Sequence, residues 1–319
     1  MTHDLLILRH GHAQHSSEKG DFGRELKDKG KRNAQRMGVW LARNQLIPDL
    51  TVASPAVRAK RTAEKACKTA GLRGGSIQFE KNIYNASTAA LIDIVRALPE
   101  DTGRVLLVGH NPGFESLAMT LAKESNYFGM TPGTLVHFRL EGPWRDTKKK
   151  CAELVEIVRP EELPEGFPFP KLDGSELRSR PAYYYKQSSV VPFRRNEGAL
   201  EVLIISSSKR KHWVVPKGIH DPGLTAQESA AKEAFEEAGI EGRVLKGPIG
   251  SYSYPKWDAT CDVAVYPMEV ERVLPEEKWE ESHRGRRWVS VEEAAATVKN
   301  PDVGRMVAKL PAHLEEIAE

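Results

Sequence analysis

Short apolar segments alternate with helical patterns through the first half of the chain, and this alternation constrains the fold more than any other feature. Each segment has the length of a single strand and is followed by a break. The predicted strands are LLIL (5–8), LTVAS (50–54), VLLVG (105–109), LVHFRL (135–140) and AELVEIVRP (152–160). Strands that alternate with helices are typical of an α/β domain with a largely parallel sheet. We therefore predict an α/β domain over residues 1–158.

The length of the chain predicts a second domain. At 319 residues it is longer than one ordinary core accommodates. Residues 159–181 contain five prolines and little periodicity, which predicts a linker. Residues 182–319 combine several strand patterns with an alanine-rich helix from about Ala226 to Ala238 and a helical tail. This second domain should therefore mix strands and helices.

The composition is that of a globular protein and excludes several classes. It is 40% hydrophobic and 29% charged, and it has no apolar run long enough to cross a bilayer. The start, MTHDLLILRHGHA, lacks the features of a signal peptide. The three cysteines form no CxxC pair, and the net charge of +3 is too small to indicate nucleic acid. We expect a cytoplasmic protein with no membrane or nucleic-acid polymer as partner, and the oligomeric state stays open.

Charged and polar side chains follow three of the predicted strands. LLIL continues into Arg9 and His10, VLLVG into His110, and the helix after LTVAS carries Arg58 in its first turn. The carboxyl ends of parallel strands meet at one edge of a sheet, so these four side chains should lie close together. A single histidine at a strand end is usually only a polar edge residue. Two arginines with two histidines, however, suit an anionic tetrahedral group.

The motifs RHG (9–11), SPAVRAKRTAE (54–64) and VGHNPG (108–113) occur in that order. In order and spacing they resemble the histidine phosphatase superfamily, in its phosphohistidine-phosphatase-like branch. The resemblance implies a phosphoglycerate-mutase-like α/β fold and a site that uses no cofactor.

The same resemblance implies roles for the four residues. His10 would be the nucleophile that forms a phosphohistidine, and Arg9, Arg58 and His110 would stabilise the phosphoryl oxygens. Glu80 is our candidate for the general acid, and the alternative, a surface glutamate at a strand end, is equally open.

Three glutamates crowd one helix of the second half. Glu233, Glu236 and Glu237 lie three or four residues apart or adjacent, so they share roughly one face and repel each other. Thr225 and Glu228 fit a capping box at the start of this helix. The carboxylates either face water, as most acidic clusters do, or surround a cation.

The stretch from Gly218 to Ile240 resembles the Nudix box, and Leu224, Lys232 and Ala234 depart from its pattern. Glu228 lies four residues before Lys232, a favourable order for an ion pair that would replace the usual support. The positions that match are Gly218, Glu233, Glu236, Glu237, Gly239 and Ile240. The resemblance implies an α/β/α sandwich with a mixed sheet, and Mg²⁺, with Mn²⁺ as the alternative ion. The three glutamates would hold the ion, and Glu236 or Glu237 would act as base.

A run of hydroxyls and cations precedes the Nudix-like stretch and suits a substrate with several phosphates. The alternative is an ordinary soluble turn. The predicted substrate-binding residues are Ser206, Ser207, Ser208, Lys209, Arg210, Lys217 and Gly218. This region is similar to the diphosphoinositol polyphosphate phosphohydrolase branch, whose members also cleave diadenosine polyphosphates. For a nucleotide, Tyr252, Tyr254 or Trp257 would be the stacking candidate.

Together the two resemblances predict a bifunctional phosphohydrolase with two separate sites. The Nudix half would cleave a diphosphate linkage in a small phosphorylated substrate, and the first half would remove a terminal phosphate. Nucleoside triphosphates, dinucleoside polyphosphates and diphosphoinositol polyphosphates remain open as substrates. The alternative is a protein phosphohistidine phosphatase of a signalling relay, with a Nudix module that senses a nucleotide without cleaving it.

Overall fold

The computed structural model describes residues 2–72, 77–124 and 129–317, and the chain packs as two compact units, 1–177 and 178–319. Most of the proline-rich segment predicted as a linker packs with the first unit. Phe167 is fully buried, and the Arg36 guanidinium donates a hydrogen bond to the carbonyl oxygen of Pro164 at 2.7 Å. None of the described helices is both long enough and apolar enough to span a bilayer.

The first unit is built on one six-stranded sheet. Its strands and helices, in chain order up to residue 178, are β1 (Thr2–Arg9), α1 (Asp28–Arg43), β2 (Leu50–Ala53), α2 (Val57–Thr69), β3 (Ile77–Phe79), α3 (Thr88–Arg96), β4 (Arg104–Gly109), α4 (Gly113–Leu121), β5 (Leu135–Glu141), β6 (Ala152–Val158), β7 (Phe167–Phe169) and β8 (Glu176–Arg178). The strand order is β3-β2-β4-β1-β5-β6, and β7 pairs with β8 apart from this sheet. β3, β2, β4 and β1 are parallel, and β5 and β6 run antiparallel to their neighbours.

Both faces of the central strands β1 and β4 are buried, which explains the apolar runs in these two strands. Leu5 and Ile7 of β1 point into a core with α3 and α4. Leu6 and Leu8 point to the opposite face, against α1 and α2. The carboxyl ends of β1, β2 and β4 therefore meet at one open edge, where this class of fold binds ligands. All five predicted strands are present, and β3, which is short and half exposed, was not predicted.

The second unit also has one sheet between two layers of helices. Its elements are β9 (Lys186–Asn196), β10 (Ala199–Ser206), β11 (Trp213–Val214), β12 (Lys217–Ile219), α5 (Ala226–Ala238), β13 (Ile240–Val244), β14 (Gly250–Lys256), β15 (Ala259–Val273), β16 (Arg286–Ser290), α6 (Val291–Thr297), α7 (Pro301–Ala308) and α8 (Leu310–Glu316). The main strand order is β11-β10-β9-β15-β13, and β12, β14 and β16 pair with β9, β15 and β10. β9 and β15 are parallel to each other, so the sheet is mixed.

The helix that carries the three glutamates is positioned by its own ends and by its alanines. Thr225 and Glu228 form the predicted capping box, and Gly239 ends α5 in the left-handed conformation with φ of 61°. Ala230, Ala234 and Ala238 are fully buried against β9, β10, β13 and β15. On the other face of the sheet, α6, α7 and α8 cover a second core. The sandwich and the bounds of α5 confirm the prediction.

Candidate active sites

His10, Arg58 and His110 come together at the open edge of the first sheet. His10 follows β1, His110 follows β4, and Arg58 is the second residue of α2. The rings of His10 and His110 lie 5.1 Å apart between their centroids, and Arg58 Nε is 3.2 Å from His10 Nε2. All three side chains are buried. The edge therefore holds the three residues in contact range of a single small group.

The contacts of His10 favour a neutral ring whose unprotonated nitrogen is Nε2. Its Nδ1 lies 2.8 Å from the carbonyl oxygen of Gly11, and its Nε2 accepts from Arg58, so the proton belongs on Nδ1. Burial, followed by the positive charges of Arg58 and Arg9, lowers the pKa of His10 to about 4. A neutral imidazole with one unprotonated nitrogen facing a cation is suited to attack phosphorus.

His110 is also neutral, and one of its nitrogens has no partner. Burial, followed by the charges of His10 and Arg58, lowers the pKa of His110 to about 3. Its Nε2 lies 2.8 Å from Ser54 Oγ, which in turn accepts from the backbone N–H of Ala56. Within the described residues, His110 Nδ1 is buried without a hydrogen-bond partner. A bound oxyanion would satisfy a proton on this nitrogen.

Asp21 and Tyr84 complete this site, although no sequence motif indicated either residue. Arg58 donates through Nη1 to the carbonyl oxygen of Asp21 at 2.7 Å and through Nη2 to its carboxylate at 2.9 Å. The Tyr84 hydroxyl donates to the same carboxylate oxygen at 2.7 Å. These bonds, the one from Tyr84 first, lower the pKa of Asp21 to about 2. Asp21 begins a three-residue 3₁₀ turn, Asp21–Gly23, which is too short for a periodic pattern to indicate its position.

Arg9 and Glu80 occupy different environments from the cluster around Arg58. Arg9 Nη1 donates to the carbonyl oxygen of Met130, and its Nε is buried without a partner among the described residues. Burial lowers the pKa of Arg9, and Glu115 opposes that shift. The Glu80 carboxylate accepts from the backbone N–H of Asn82 and caps a short helical turn. Its role as general acid stays a prediction.

The second candidate site lies on α5, where Glu237 is held by two donors. Its Oε2 accepts from the backbone N–H of Lys217 at 3.0 Å, and its Oε1 accepts from Arg284 Nη2 at 2.7 Å. Arg284 also donates to Glu281. Burial raises the pKa of Glu237, and the bond from Lys217 and the charge of Arg284 oppose that shift. Glu281 and Arg284 were not predicted to face the helix.

Glu233 lies beside Gly218, and this contact explains the glycine. A Cβ at position 218 would lie 1.8 Å from the carboxylate carbon of Glu233, so any other residue would displace that side chain. Burial, followed by the negative charges of Glu237, Glu236 and Asp221, raises the pKa of Glu233 to about 7. The negative charge on this face is therefore incompletely compensated by the protein itself.

Lys232 obtains its support from a residue other than the one predicted. Its ammonium group lies 2.6 Å from Asp221 and 3.8 Å from Glu236. Glu228, the expected partner, instead accepts from the backbone N–H of Thr225 within the capping box. A tertiary contact from the loop before α5 thus takes the place of the helical pair.

The acidic residues fit a hard divalent cation by their chemistry. Carboxylate oxygens are the preferred ligands of Mg²⁺, and the raised pKa of Glu233 indicates a site that lacks positive charge. Among the described residues, no group of three or more His, Cys, Asp or Glu side chains is already arranged to hold a metal. Both Glu237 oxygens already accept hydrogen bonds, one from Arg284 and one from the backbone N–H of Lys217.

Two of the predicted substrate-binding serines, Ser206 and Ser207, hold a turn through hydrogen bonds. Ser206 exchanges hydrogen bonds with Gly285, and Ser207 Oγ accepts from the backbone N–H groups of Lys211 and His212. Arg210 Nε donates to the carbonyl oxygen of His283. Ser208 and Lys209 are exposed at the tip of this turn. Phosphate binding by these residues stays a prediction.

Lys217 connects the acidic helix with a cavity of about 530 Å³. Its backbone N–H holds Glu237, while its ammonium group donates to Gln187 at 2.7 Å and to the Tyr254 hydroxyl at 2.8 Å. The walls of the cavity are chiefly apolar or aromatic. They include Val215, Tyr252, Tyr254, Val298, Pro301 and Val303, with Lys299 and Asn300 as polar residues.

Two different family models match the chain, one within each compact unit. Residues 5–84 match the model of the histidine phosphatase superfamily (branch 1), and residues 185–310 match that of the NUDIX domain. Nudix hydrolase 12, mitochondrial, of Arabidopsis thaliana is 36% identical over 104 residues, which are 30% of this chain and 50% of that protein. Diphosphoinositol polyphosphate phosphohydrolase 3-beta of Bos taurus is 35% identical over 118 residues, 36% of this chain and 69% of that protein.

The chain spans only part of several such relatives: 50%, 60% and 53% of Nudix hydrolases 12, 16 and 13 of Arabidopsis thaliana. Among solved structures, the protein histidine phosphatase SixA complexed with tungstate is 20% identical, with a TM-score of 0.44. That similarity covers 49% of this chain and 97% of SixA.

Proposed function

The chain belongs to the histidine phosphatase superfamily in its first half and to the Nudix family in its second, and we propose that it is a bifunctional phosphohydrolase. Both families are hydrolases that act on phosphate esters or phosphoanhydrides. The second half would cleave a diphosphate linkage in a metal-dependent reaction. The first half would remove a terminal phosphate through a phosphohistidine.

The geometry around His10, whose Nδ1 faces the Gly11 carbonyl and whose Nε2 faces Arg58 and lies near His110, carries the phosphatase half of this proposal. The bond to Gly11 leaves Nε2 unprotonated, and the low pKa keeps the ring neutral at physiological pH. Attack by Nε2 would form an N–P bond as the ester oxygen departs, and water would then release phosphate from the ring. Arg9, Arg58 and His110 would stabilise the phosphoryl oxygens during both steps. A proton on His110 Nδ1 would then be donated in a hydrogen bond to one of these phosphoryl oxygens.

The acidic face of α5 supports the second activity. Glu233, Glu236 and Glu237 would hold Mg²⁺, or Mn²⁺ in its place. A bound ion of this kind polarises a diphosphate oxygen and helps to generate the attacking hydroxide. Of the chain's own groups, Gly218 leaves room for the Glu233 carboxylate, and the pairing of Lys232 with Asp221 steadies the loop before α5.

The cavity beside Lys217 favours a nucleotide among the three open substrate classes. A volume of about 530 Å³ lies within the usual range of small-molecule sites. Its two tyrosines and several valines suit a flat, uncharged base. An inositol polyphosphate would need many cations, whereas the cavity offers Lys217 and Lys299, and Lys217 is already bonded to Gln187 and Tyr254. We therefore propose a nucleoside or dinucleoside polyphosphate.

One observation favours the alternative, a protein phosphohistidine phosphatase with a Nudix module that binds a nucleotide without cleaving it. Glu237 is paired with Arg284, so the three glutamates do not converge as they stand. Turnover of any diphosphate that depends on added metal would exclude a non-catalytic module.

A substrate panel tests the proposal directly. The full chain is incubated with a nucleoside triphosphate, a dinucleoside tetraphosphate and a diphosphoinositol polyphosphate, with and without Mg²⁺, and the products are resolved by chromatography. We expect metal-dependent cleavage of a nucleotide. Tyr252→Leu should raise its KM by about tenfold, the scale of one lost base stack. Hydrolysis of a phosphorylated carrier protein but of no diphosphate would reject the proposal in favour of the alternative.

A further inference from the structure

Arg284 is a buried cation directed at the acidic helix. Its residue is 8% exposed, and its guanidinium lies between two carboxylates, donating through Nη2 to Glu237 at 2.7 Å and through Nε to Glu281 at 2.5 Å. Such a position is costly for an arginine unless both carboxylates remain charged. The pairing is therefore a built feature of the fold and differs from a surface contact.

The neighbouring arginines of the same segment have other partners. Arg286 donates to the carbonyl oxygens of Ala238 and Gly239 at the end of α5. Arg287 pairs with Glu293 at an exposed position. Arg286 thus caps the end of α5, and Arg287 forms an ion pair at the surface. Of the three arginines, Arg284 alone neutralises a glutamate of the acidic face.

The contact with Arg284 also sets the direction of the Glu237 carboxylate. The opposite oxygen is fixed by the backbone N–H of Lys217, so both oxygens point to donors from outside the helix. Glu233 lies one helical turn away and contacts Gly218 instead. For one ion to be shared by Glu233 and Glu237, the Glu237 oxygen that now faces the guanidinium must turn to the ion.

We infer that Arg284 is an internal counter-ion that occupies Glu237 until a divalent cation replaces it, and that this exchange sets the metal affinity of the site. The inference rests on the proposed metal-dependent function. The exchange frees the Nη2 group of Arg284 from Glu237, while the Nε–H still donates to Glu281 and holds the side chain in place. The freed N–H groups could then donate hydrogen bonds to the phosphate oxygens of a substrate at the same site.

Metal binding measured without substrate provides the test. Mn²⁺ binding to the full chain is followed by electron paramagnetic resonance for the unmodified protein, Arg284→Gln, Glu237→Gln and the double variant. Arg287→Gln is the matched control, because it removes a nearby arginine that pairs with Glu293. Circular dichroism establishes that each variant is folded. We expect Arg284→Gln to tighten Mn²⁺ binding by about tenfold, which corresponds to about 1.4 kcal/mol.

The outcomes separate this inference from the proposed function. Tighter binding in Arg284→Gln, no change in Arg287→Gln and no gain when Glu237→Gln is also present would support the exchange. Unchanged or weaker binding in Arg284→Gln, with Mn²⁺ still lost in Glu237→Gln, would overturn the inference and leave the metal site standing. If Mn²⁺ binds to neither the unmodified protein nor Arg284→Gln, both the metal-dependent function and the inference fail.

Discussion

The two candidate sites carry opposite charges, and burial acts on them in opposite directions. At the first, burial lowers the pKa of His10 and His110 to about 4 and about 3, so arginines surround neutral rings. At the second, burial raises the pKa of Glu233 to about 7. In each case loss of water disfavours the charged form. The same physical cause, burial, thus keeps a nucleophile neutral at one site and favours the binding of a cation at the other.

Each site also contains a counter-charge supplied by the chain. Asp21 accepts from Arg58 in the first, and Arg284 donates to Glu237 in the second. The Asp21 side chain is 53% exposed, whereas that of Arg284 is 10% exposed. Because water solvates the half-exposed Asp21 carboxylate, Asp21 should compete less with a phosphate than the buried Arg284 competes with a metal.

The largest expected effect comes from removing one key residue from each site in turn and assaying both activities. His10→Ala should lower phosphate release by at least about a thousandfold, because no nucleophile remains. Glu237→Gln should lower metal-dependent diphosphate cleavage on a similar scale. Each variant should change the rate of the other activity by less than about twofold, because the two residues lie in different compact units. Parallel assays on the full chain measure both, and a joint loss would show that the sites are not independent.

Gly218→Ala probes the close contact at the second site. The added Cβ would lie 1.8 Å from the Glu233 carboxylate, so that side chain must move, and diphosphate cleavage should fall by about a hundredfold. Gly285→Ala is the control, because a Cβ there meets no atom within 4 Å. Phosphate release should be unaffected by either change. Equal activity in the two alanine variants would contradict the role assigned to Gly218.

The pH dependence should also distinguish the sites. His10 has a lowered pKa, so its neutral form persists as the pH falls, and phosphate release should decline only as the pH passes down through about 4. Glu233 has a raised pKa and becomes protonated as the pH falls through about 7, so metal affinity should already weaken there. Rate profiles of phosphate release from pH about 8 down to about 4, and Mn²⁺ titrations between pH about 5 and about 8, measure the two. If phosphate release and Mn²⁺ affinity declined over the same pH range, the opposite pKa shifts assigned to His10 and Glu233 would be contradicted.

The smallest expected effect concerns Asp21. Asp21→Asn removes the negative charge beside Arg58 but keeps an acceptor for Tyr84, so orthophosphate should bind about twofold to fivefold more tightly. Asp28→Asn, which alters an exposed pair with Lys31, is the matched control. Isothermal titration calorimetry measures the affinity. Weaker binding in Asp21→Asn would mean that Asp21 positions Arg58 for phosphate and does not compete with it.

Sequence patterns predicted where strands and helices end. Strand ends predicted the meeting of His10, Arg58 and His110, because parallel strands deliver their carboxyl ends to one edge. Thr225, Glu228 and Gly239 predicted the ends of α5, because capping uses residues within one turn. The same reasoning failed for Lys232, whose partner Asp221 comes from the loop before the helix.

By itself, then, the sequence determined two α/β folds and the order in which reactive residues leave their strands and helices, since these follow from periodicity and from short-range hydrogen bonds. Only the tertiary structure decided which charges face each other. Asp21 lies 37 residues from Arg58, and Glu237 lies 47 residues from Arg284. In each pair a helical residue meets a residue outside the α-helices and strands, and such distant contacts depend on how whole layers pack. No repeating pattern in the chain records that packing.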